Sequence, residues 1–595
     1  MDYTFKDGAI VLTGKAYEKA IYDTATSFSS VAFDGLGGVS KYYVYNDDDY
    51  SGPDGICTLI MLDGKKLDTY DDKTVTMIGR TQTINLTDGD TKVVIRMAVN
   101  KEINGVFEEI TIKSPAKDVE LAIVYGDGAS KIDGYPYGTT HKAEKFAMSC
   151  TIPGQMLSEN DMFWAKTTME NELTVKVFYS YGKALEDSES VLTDFDKYMK
   201  AAFDEIAEIK IPAAASTEYL KAFYLSCYFC VYVNFKEIGD FGGFGAGCNY
   251  LNIVRTYFRD SYWTVLPMYR DHPELVRREI TTLARGIVDG SCPSAVKYDY
   301  SSHWGDHYDS PSFFINMIHD YIASTGDKTV LTATANGKTV YALALEVMNR
   351  FSKYADETGL IYKEGPYNMR DWADEVDRNG YVTYNEALYC HALFSLGEIC
   401  TVMGDTALSE KYLAESERVK KAINEILWDE EKGYYINYKY GDFVEDNLSV
   451  DTITAVIYNI CTKEQGRRIL ENMKAILETR NNHDQKAGDF GVMSVYPFYK
   501  GLNLARNKSA QEYFYHNGGN WPYLSAMYAY ALKQYGMEYE YALTSWFEYN
   551  IKRGNYTPIE YFSPCRPDGS LLQAWSGDGA FVLDDTEGFF ERSIL

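Results

Sequence analysis

The apolar residues of this chain change period near residue 187, and that change divides what the chain can fold into. Before it, apolar and polar residues alternate in short runs, as in TKVVIRMAVN (91–100), FEEITIKS (107–114), VELAIVY (119–125) and LTVKVFYSYG (173–182), separated by Gly, Asp, Asn and Pro clusters. Alternation sends successive side chains to opposite faces of a strand, so many short strands joined by turn residues predict an antiparallel β-sandwich over residues 1–186. SESVLTDFDKYMKAAFDEIAEIK (188–210) has helical spacing and IPAAAS (211–216) breaks it, which makes 187–215 an expected helical linker. From 216 to 595 helical spacing dominates, in segments near 217–236, 259–288, 310–325, 338–355, 384–427, 449–478, 519–552 and 573–583. Asp405 stands where a cap precedes TALSEKYLAE, and Thr462 with Gln465 spells a capping box before GRRILENMKAIL. Between 406 and 427, Leu408, Tyr412, Val419, Ala422, Ile423 and Ile426 fall on one helical face. About a dozen helices in roughly 380 residues fit either a closed double ring of helix pairs or an α-solenoid, and periodicity leaves both open.

At 595 residues the chain is long enough for two or more domains. The formal net charge of −28 argues against nucleic acid or an anionic membrane as partner, because bulk electrostatics would repel both polyanions. A neutral substrate meets no such barrier. The 15% aromatic content permits sugar binding, since aromatic faces pack on sugar C–H faces, but composition alone favours a Tyr-rich core and surface. Cys227, Cys230, Cys390, Cys400 and Cys461 sit in apolar helical patterns and read as buried thiols, and the Cys-x-x-Cys at 227–230 has no zinc-spaced partner. The opening MDYTFKDGAIVLTG has no basic region followed by an apolar stretch, so a cytoplasmic location is expected, with no membrane partner, no cofactor and no metal.

Acid-bearing loops stand beside helices at YFRDSYW (257–263), HWGDHYDSPSFF (303–314) and NMRDWADEVDRNGYVTYNEALY (368–389). Further along lie HNGGNWP (516–522) and YTPIEYFSPCRPDGSLLQAWSGDGAF (556–581). His303 and His307 with Asp306 and Asp309 superficially resemble a metal cluster, but Gly305 interrupts the segment and gives it no helical character.

In this order, these motifs resemble the glucosidase module of glycogen debranching enzymes, the amylo-α-1,6-glucosidases. They are more distantly similar to trehalase, neutral invertase and the α-glucosidases that trim N-glycans. Arg259-Asp260-Ser261 matches the Arg-Asp-Thr/Ser of an early helix. Tyr308-Asp309-Ser310 with Ser324-Thr325-Gly326-Asp327 resembles the next helix pair. Trp372-Ala373-Asp374 with Tyr384-Asn385-Glu386-Ala387-Leu388 resembles the Trp-Met-Asp loop and the helix after it. Glu560-Tyr561-Phe562 with Gln573-Ala574-Trp575-Ser576 resembles the base loop and its helix. The resemblance covers roughly 216–585 and implies a multidomain α and β fold, an antiparallel β-sandwich followed by an (α/α)6 barrel as the catalytic domain over 216–595.

By the same match, Asp374 takes the general-acid position and Glu560 the general-base position of an inverting, exo-acting glycoside hydrolase. Such an enzyme needs a protonated acid at the leaving oxygen and an ionised base ~6.5–9.5 Å away that activates a water. Asp371 is the rival for the acid role. Arg259, Asp260, Tyr308, Asp309, Asp371, Trp372, Glu386, His516, Trp521, Gln573 and Trp575 are the expected substrate contacts. The alternatives are an Arg259–Asp260 ion pair, a helix cap at Asp309 and core packing at Trp575. Trp-Ala-Asp-Glu-Val, Gly-Gly-Asn-Trp-Pro-Tyr and Tyr-Asn-Glu depart from the family's usual residues at positions that would face the sugar. Substrate readings therefore include a terminal glucose and another sugar such as rhamnose, fructose or trehalose. An inverting phosphorylase, an epimerase using His391 and His516, and an inactive glycan-binding protein are the other readings. The expected partner is an oligosaccharide.

Overall fold

The computed structural model describes residues 3–14, 20–45, 55–125, 146–157, 162–182, 185–248, 250, 253–364, 371–499, 507–566, 568–584 and 586–595. Residues 368–370, which open the third acid-bearing loop, lie outside them. The contacts divide the chain into two units, Met1–Glu237 with Gly247–Val254 and Asn550–Pro558, and Ile238–Ala246 with Arg255–Tyr549 and Ile559–Leu595.

The first unit holds two antiparallel sheets. One runs Tyr3–Lys6, Ala9–Leu12, Asp72–Ile78, Thr81–Asp88, Thr91–Asn100, Ile103–Lys113, Glu172–Tyr181, Phe146–Cys150. The other runs Gly154–Leu157, Met162–Thr168, Asp118–Tyr125, Ile56–Leu62, Gly38–Val44, Ser29–Asp34, Ile21–Ala25, with Lys65–Lys66 on the side of Ile56–Leu62. Alternation fixes the register: Ile95 stands between Ile84 and Ile110, and Val93, Ile95 and Met97 are buried. Side chains bridge the two sheets, Thr58 donating to Glu108 at 2.9 Å and Gln82 to the Asp34 carbonyl at 2.7 Å.

The helices expected as a linker are packed elements of this unit. Ser188–Thr193 and Phe195–Glu208 bring Val191, Phe195, Met199 and Ala202 against Ala98, Phe107 and Phe178, residues on the opposite face from Glu108. That first sheet is thus covered on both sides. Helix Glu218–Tyr232, capped by Thr217, also belongs to the first unit, and Phe229 packs so closely on Gly79 (φ 57°) that a Cβ there would lie 2.9 Å from its ring. The divisions drawn at 186 and 215 therefore do not coincide with the contact units.

The second unit is a helical domain. Its helices Pro273–Arg285, Ser310–Thr325, Val340–Phe351, Thr383–Val402, Thr406–Ile426, Lys463–Ile476 and Pro522–Gln534 fall in the expected segments to within one residue. Asp405 caps Thr406–Ile426, and Thr462 and Gln465 form the capping box of Lys463–Ile476. Thr383–Val402 is buried nearly all round, bonded to Ser310–Thr325 through Ser395 and Asn316. Its Gly397 lets the returning helix approach, since a Cβ there would fall 2.7 Å from Leu413. Helices that are apolar on every side must be enclosed, so their polar first turns and the loops before them are what remain to carry chemistry.

Candidate active site

Strand Arg255–Tyr257 runs into helix Phe258–Thr264, which presents Arg259 and Asp260 from its first turn. Arg259 does not pair with Asp260. Its Nε donates to Asp309 Oδ2 at 2.6 Å and its Nη2 donates to Asp309 Oδ1 at 3.3 Å and to His307 Nδ1 at 2.9 Å. Asp309 does occupy the N-cap position of Ser310–Thr325, but its carboxylate makes no cap bond, because Arg259 and the Tyr384 hydroxyl hold it. Asp260 stays half-buried. Burial and the negative charges of Glu560 and Asp309 outweigh Arg259 and push its carboxyl up to about 7.

The loop from Asp371 to Arg378 separates the two rival acids. Asp371 Oδ2 accepts from Lys363 Nζ at 2.8 Å and Asn385 Nδ2 at 3.0 Å, and Oδ1 accepts from Arg378 Nη2 at 2.7 Å and the Ala373 N–H at 2.9 Å. Burial would push this carboxyl up, yet Arg378 and Lys363 hold it well below the usual carboxylate range. It is ionised and saturated with donors. Trp372 Nε1 donates to Asp451 Oδ2 at 2.6 Å, and Arg378 Nη1 donates to the same oxygen at 2.5 Å. With the loop held at both neighbours, Asp374 is presented at its tip, a quarter exposed, its Oδ1 4.0 Å from His516 Nε2. Burial and the charge of Arg378 keep His516 far below its ordinary value, so the imidazole facing Asp374 is neutral.

Aromatic rings connect this tip to the loop of Glu560. His516 stacks on Trp521 at 4.9 Å and meets Trp372 edge-on at 4.9 Å, and Trp521 lies 5.3 Å from Tyr561. Glu560 sits on a short antiparallel pairing: its N–H donates to the Ser570 carbonyl at 2.8 Å, and its Oε2 accepts from the Ser570 N–H at 3.2 Å. Mutual backbone bonds between Asn520 and Phe562, both 3.0 Å, tie this pairing to the HNGGNWP segment.

Of the residues expected to act, Arg259, Asp260, Asp374 and Glu560 retain solvent exposure and the others are buried. Several of the residues expected to contact sugar are enclosed and bonded to protein groups. Asp309 and Asp371 are 0% exposed and hold Arg259, Lys363 and Arg378. Glu386, also 0% exposed, accepts the Ile361 N–H at 3.0 Å. Tyr308 accepts the Glu364 N–H at 3.1 Å. Trp575 stacks on Tyr523 at 4.3 Å, the core role. Trp372, His516 and Trp521 form the wall behind Asp374, and Gln573 is buried at the cap position of the turn Ala574–Asp578. His391 stacks on Tyr458 at 4.2 Å within the helices, apart from the His516 wall.

Sequence reasoning missed Lys363, Arg378 and Asp451. Asp451 left a signal, a lone acid in the apolar run Leu448–Ile457, and Lys363 and Arg378 flank the acid loop as isolated cations.

Residues 268–580, more than half of the chain, match the sequence model of a family described as amylo-alpha-1,6-glucosidase. The match begins after Arg259 and Asp260. Among curated proteins none matches the chain. A bacterial glucoamylase solved with acarbose superposes with a TM-score of 0.63 at 12% identity, over 97% of this chain and 94% of that one. A human-microbiome protein assigned as a kojibiose phosphorylase gives a TM-score of 0.57 at 11% identity, over 98% and 90%. At such identities the likeness is one of fold, N-terminal antiparallel sheets followed by a helical domain.

Proposed function

This chain belongs to the amylo-alpha-1,6-glucosidase family, and on that premise we propose that it is an inverting, exo-acting glycoside hydrolase that removes a terminal glucose from an α-linked oligosaccharide. Asp374 is its general acid and Glu560 its general base, with Asp260 and Arg259 facing the sugar beside Glu560. The helices of the second unit close into an (α/α)6 barrel whose loops carry these groups to one rim.

The observation that carries this reading is the division of labour in the loop 371–378. Asp371 takes the donors of Lys363, Arg378 and Asn385 and stays ionised, while Asp374 faces a neutral imidazole and an aromatic wall. A carboxyl held between two cations cannot keep a proton near neutral pH, so Asp371 is unsuited to the acid role, which falls to Asp374. Asp374 gives its proton to the glycosidic oxygen as the bond to the anomeric carbon breaks. Glu560 takes a proton from a water on the opposite face, and the water oxygen bonds to that carbon with inversion.

Asp374→Asn and Glu560→Gln are each expected to lower kcat on an α-1,6-glucoside by about 100- to 10,000-fold with the fold intact. Asp371→Asn, which leaves Lys363 and Arg378 short of an anion, is expected to cost about 3–5 kcal/mol of stability. Kinetics beside thermal melts of the three variants separate the roles, and full activity in Asp374→Asn would sink the acid assignment.

A second reading, an inverting phosphorylase in which orthophosphate takes the place of water, has one observation in its favour. The Lys508 ammonium lies 5.3 Å from the centroid of the Tyr561 ring, next to Glu560, where an anion would meet it.

A further inference from the structure

Helix Pro273–Arg285 buries Val276, Ile280 and Leu283 on one face, and among them Glu279, which has no exposed surface. Packing alone calls for an apolar residue there, because an enclosed carboxyl loses its hydration and needs donors in place of water. Three donors meet it. Thr256 Oγ1 and Ser261 Oγ donate to Glu279 Oε1 at 2.5 and 2.7 Å, and the Phe244 N–H donates to Oε2 at 2.8 Å. Strand Phe241–Phe244 comes this close because position 243 is Gly: a Cβ there would lie 3.0 Å from Glu279 Oε2 and 3.2 Å from Thr256 Cβ.

The partners of the two oxygens lead to different parts of the active site. Thr256 and Ser261 bracket Arg259 and Asp260, so Oε1 fixes both ends of the turn that presents them. From Phe244 the connection runs through further hydrogen bonds to the base loop. The Ala574 N–H donates to the Ala246 carbonyl at 2.7 Å, and Ser576 Oγ donates at 2.8 Å to the carbonyl of Ile559, the residue before Glu560. The two ends meet again in the site, where the charge of Glu560 reaches Asp260.

We propose that Glu279 is a positioning residue: its carboxylate holds the Arg259–Asp260 turn in fixed relation to Glu560, and so sets how the bound sugar meets the base. The inference rests on the glycosidase reading. Such a role needs two acceptor oxygens, one for the turn and one for the strand. Glutamine has one, so Glu279→Gln keeps the shape but can serve only one side, and turns its NH2 toward the donors of the other. Burial pushes the Glu279 carboxyl up to about 7, so the enclosure accepts an uncharged group of this shape and the variant is expected to fold.

The test is a double-substitution cycle on the full-length enzyme. Asp260→Asn and Glu279→Gln are made singly and together, thermal melts confirm folding, and kcat/KM is measured on an α-1,6-linked glucose oligosaccharide. Because Glu279 acts through the turn, the fold-loss caused by Asp260→Asn is expected to be at least about fivefold smaller in the Glu279→Gln enzyme than in the wild type. A residue that only supports the fold would give independent losses, so additive effects overturn the proposal. Ser261→Ala removes the same bond from the turn side and should couple to Asp260→Asn in the same way; it takes the place of Glu279→Gln should that variant not fold. The cycle is repeated for binding, by fluorescence titration of the Asp374→Asn enzyme with the same oligosaccharide. Coupled binding losses with no turnover by the wild type would remove the glycosidase reading and keep Glu279 as the residue that positions the turn. Neither binding nor turnover would remove both.

Discussion

A carboxylic acid can pass a proton to a leaving oxygen only if it still holds that proton near neutral pH, so neighbouring charge decides which of several acids serves. Asp371 and Asp374 lie three positions apart in one acidic run, and the resemblance put Asp374 forward with Asp371 as its rival. What separates them is contributed from afar: Lys363, Arg378 and Asn385 converge on Asp371, while His516 and Trp372 stand at Asp374. The burial of Asp309, Tyr308 and Glu386 was not legible in the sequence, because burial depends on which loops fold over a residue. Asp260 gives a prediction at this scale. Its pKa near 7 in the fold against 3.8 unperturbed means the folded protein keeps a proton that the unfolded chain loses between about pH 4 and 7. The unfolded state binds fewer protons in that window, so this group makes stability fall as pH rises through it. Urea unfolding of wild type and Asp260→Asn should show the variant gaining on the wild type from pH 4 to 7, with no further gain above. Parallel curves would contradict the burial that, with Glu560 and Asp309, raises the Asp260 carboxyl.

The pieces that present these side chains are short: one helix turn, one stapled loop and one backbone pairing. The pairing that carries Glu560 leaves no room at Gly569, where a Cβ would come within 2.6 Å of the Tyr561 ring and 2.9 Å of Glu560 Oε2. Gly569→Ala is therefore expected to displace Glu560 and lower kcat by about 100-fold, since a shift near 1 Å suffices for that loss. The same substitution should leave far-UV circular dichroism unchanged, because the pairing lies outside the helices. An unimpaired kcat would mean that the Glu560 position is not critical. Helix positions and the caps at Asp405 and Thr462 were legible because the 3.6-residue period and cap chemistry are local. The packing of Phe195 and Met199 on Phe107 and Phe178 was not, because alternation marks a strand without saying which element covers each of its faces.

For the whole molecule, the order of sheets followed by helices was readable from the change of period, and the family match over 268–580 agrees with the motif order that suggested it. The boundary between units was not readable. Helix Glu218–Tyr232 is apolar on all sides, so its spacing marks it as enclosed without saying by what, and its contacts place it with the sheets. A net charge of −28 suits a neutral glycan, which feels no long-range repulsion as it approaches. The proposed chemistry makes one demand on the substrate as a whole: a water, directed by Glu560 from the face opposite the leaving group, must invert the anomeric carbon. That demand is tested by proton NMR of the first turnovers on an α-1,6-linked glucose oligosaccharide, with and without orthophosphate and with Asp374→Asn and Glu560→Gln as controls. The expected result is β-glucose released first, without need of phosphate and lost in both variants. α-Glucose as the first product, or a glucose 1-phosphate formed only when phosphate is present, would contradict it.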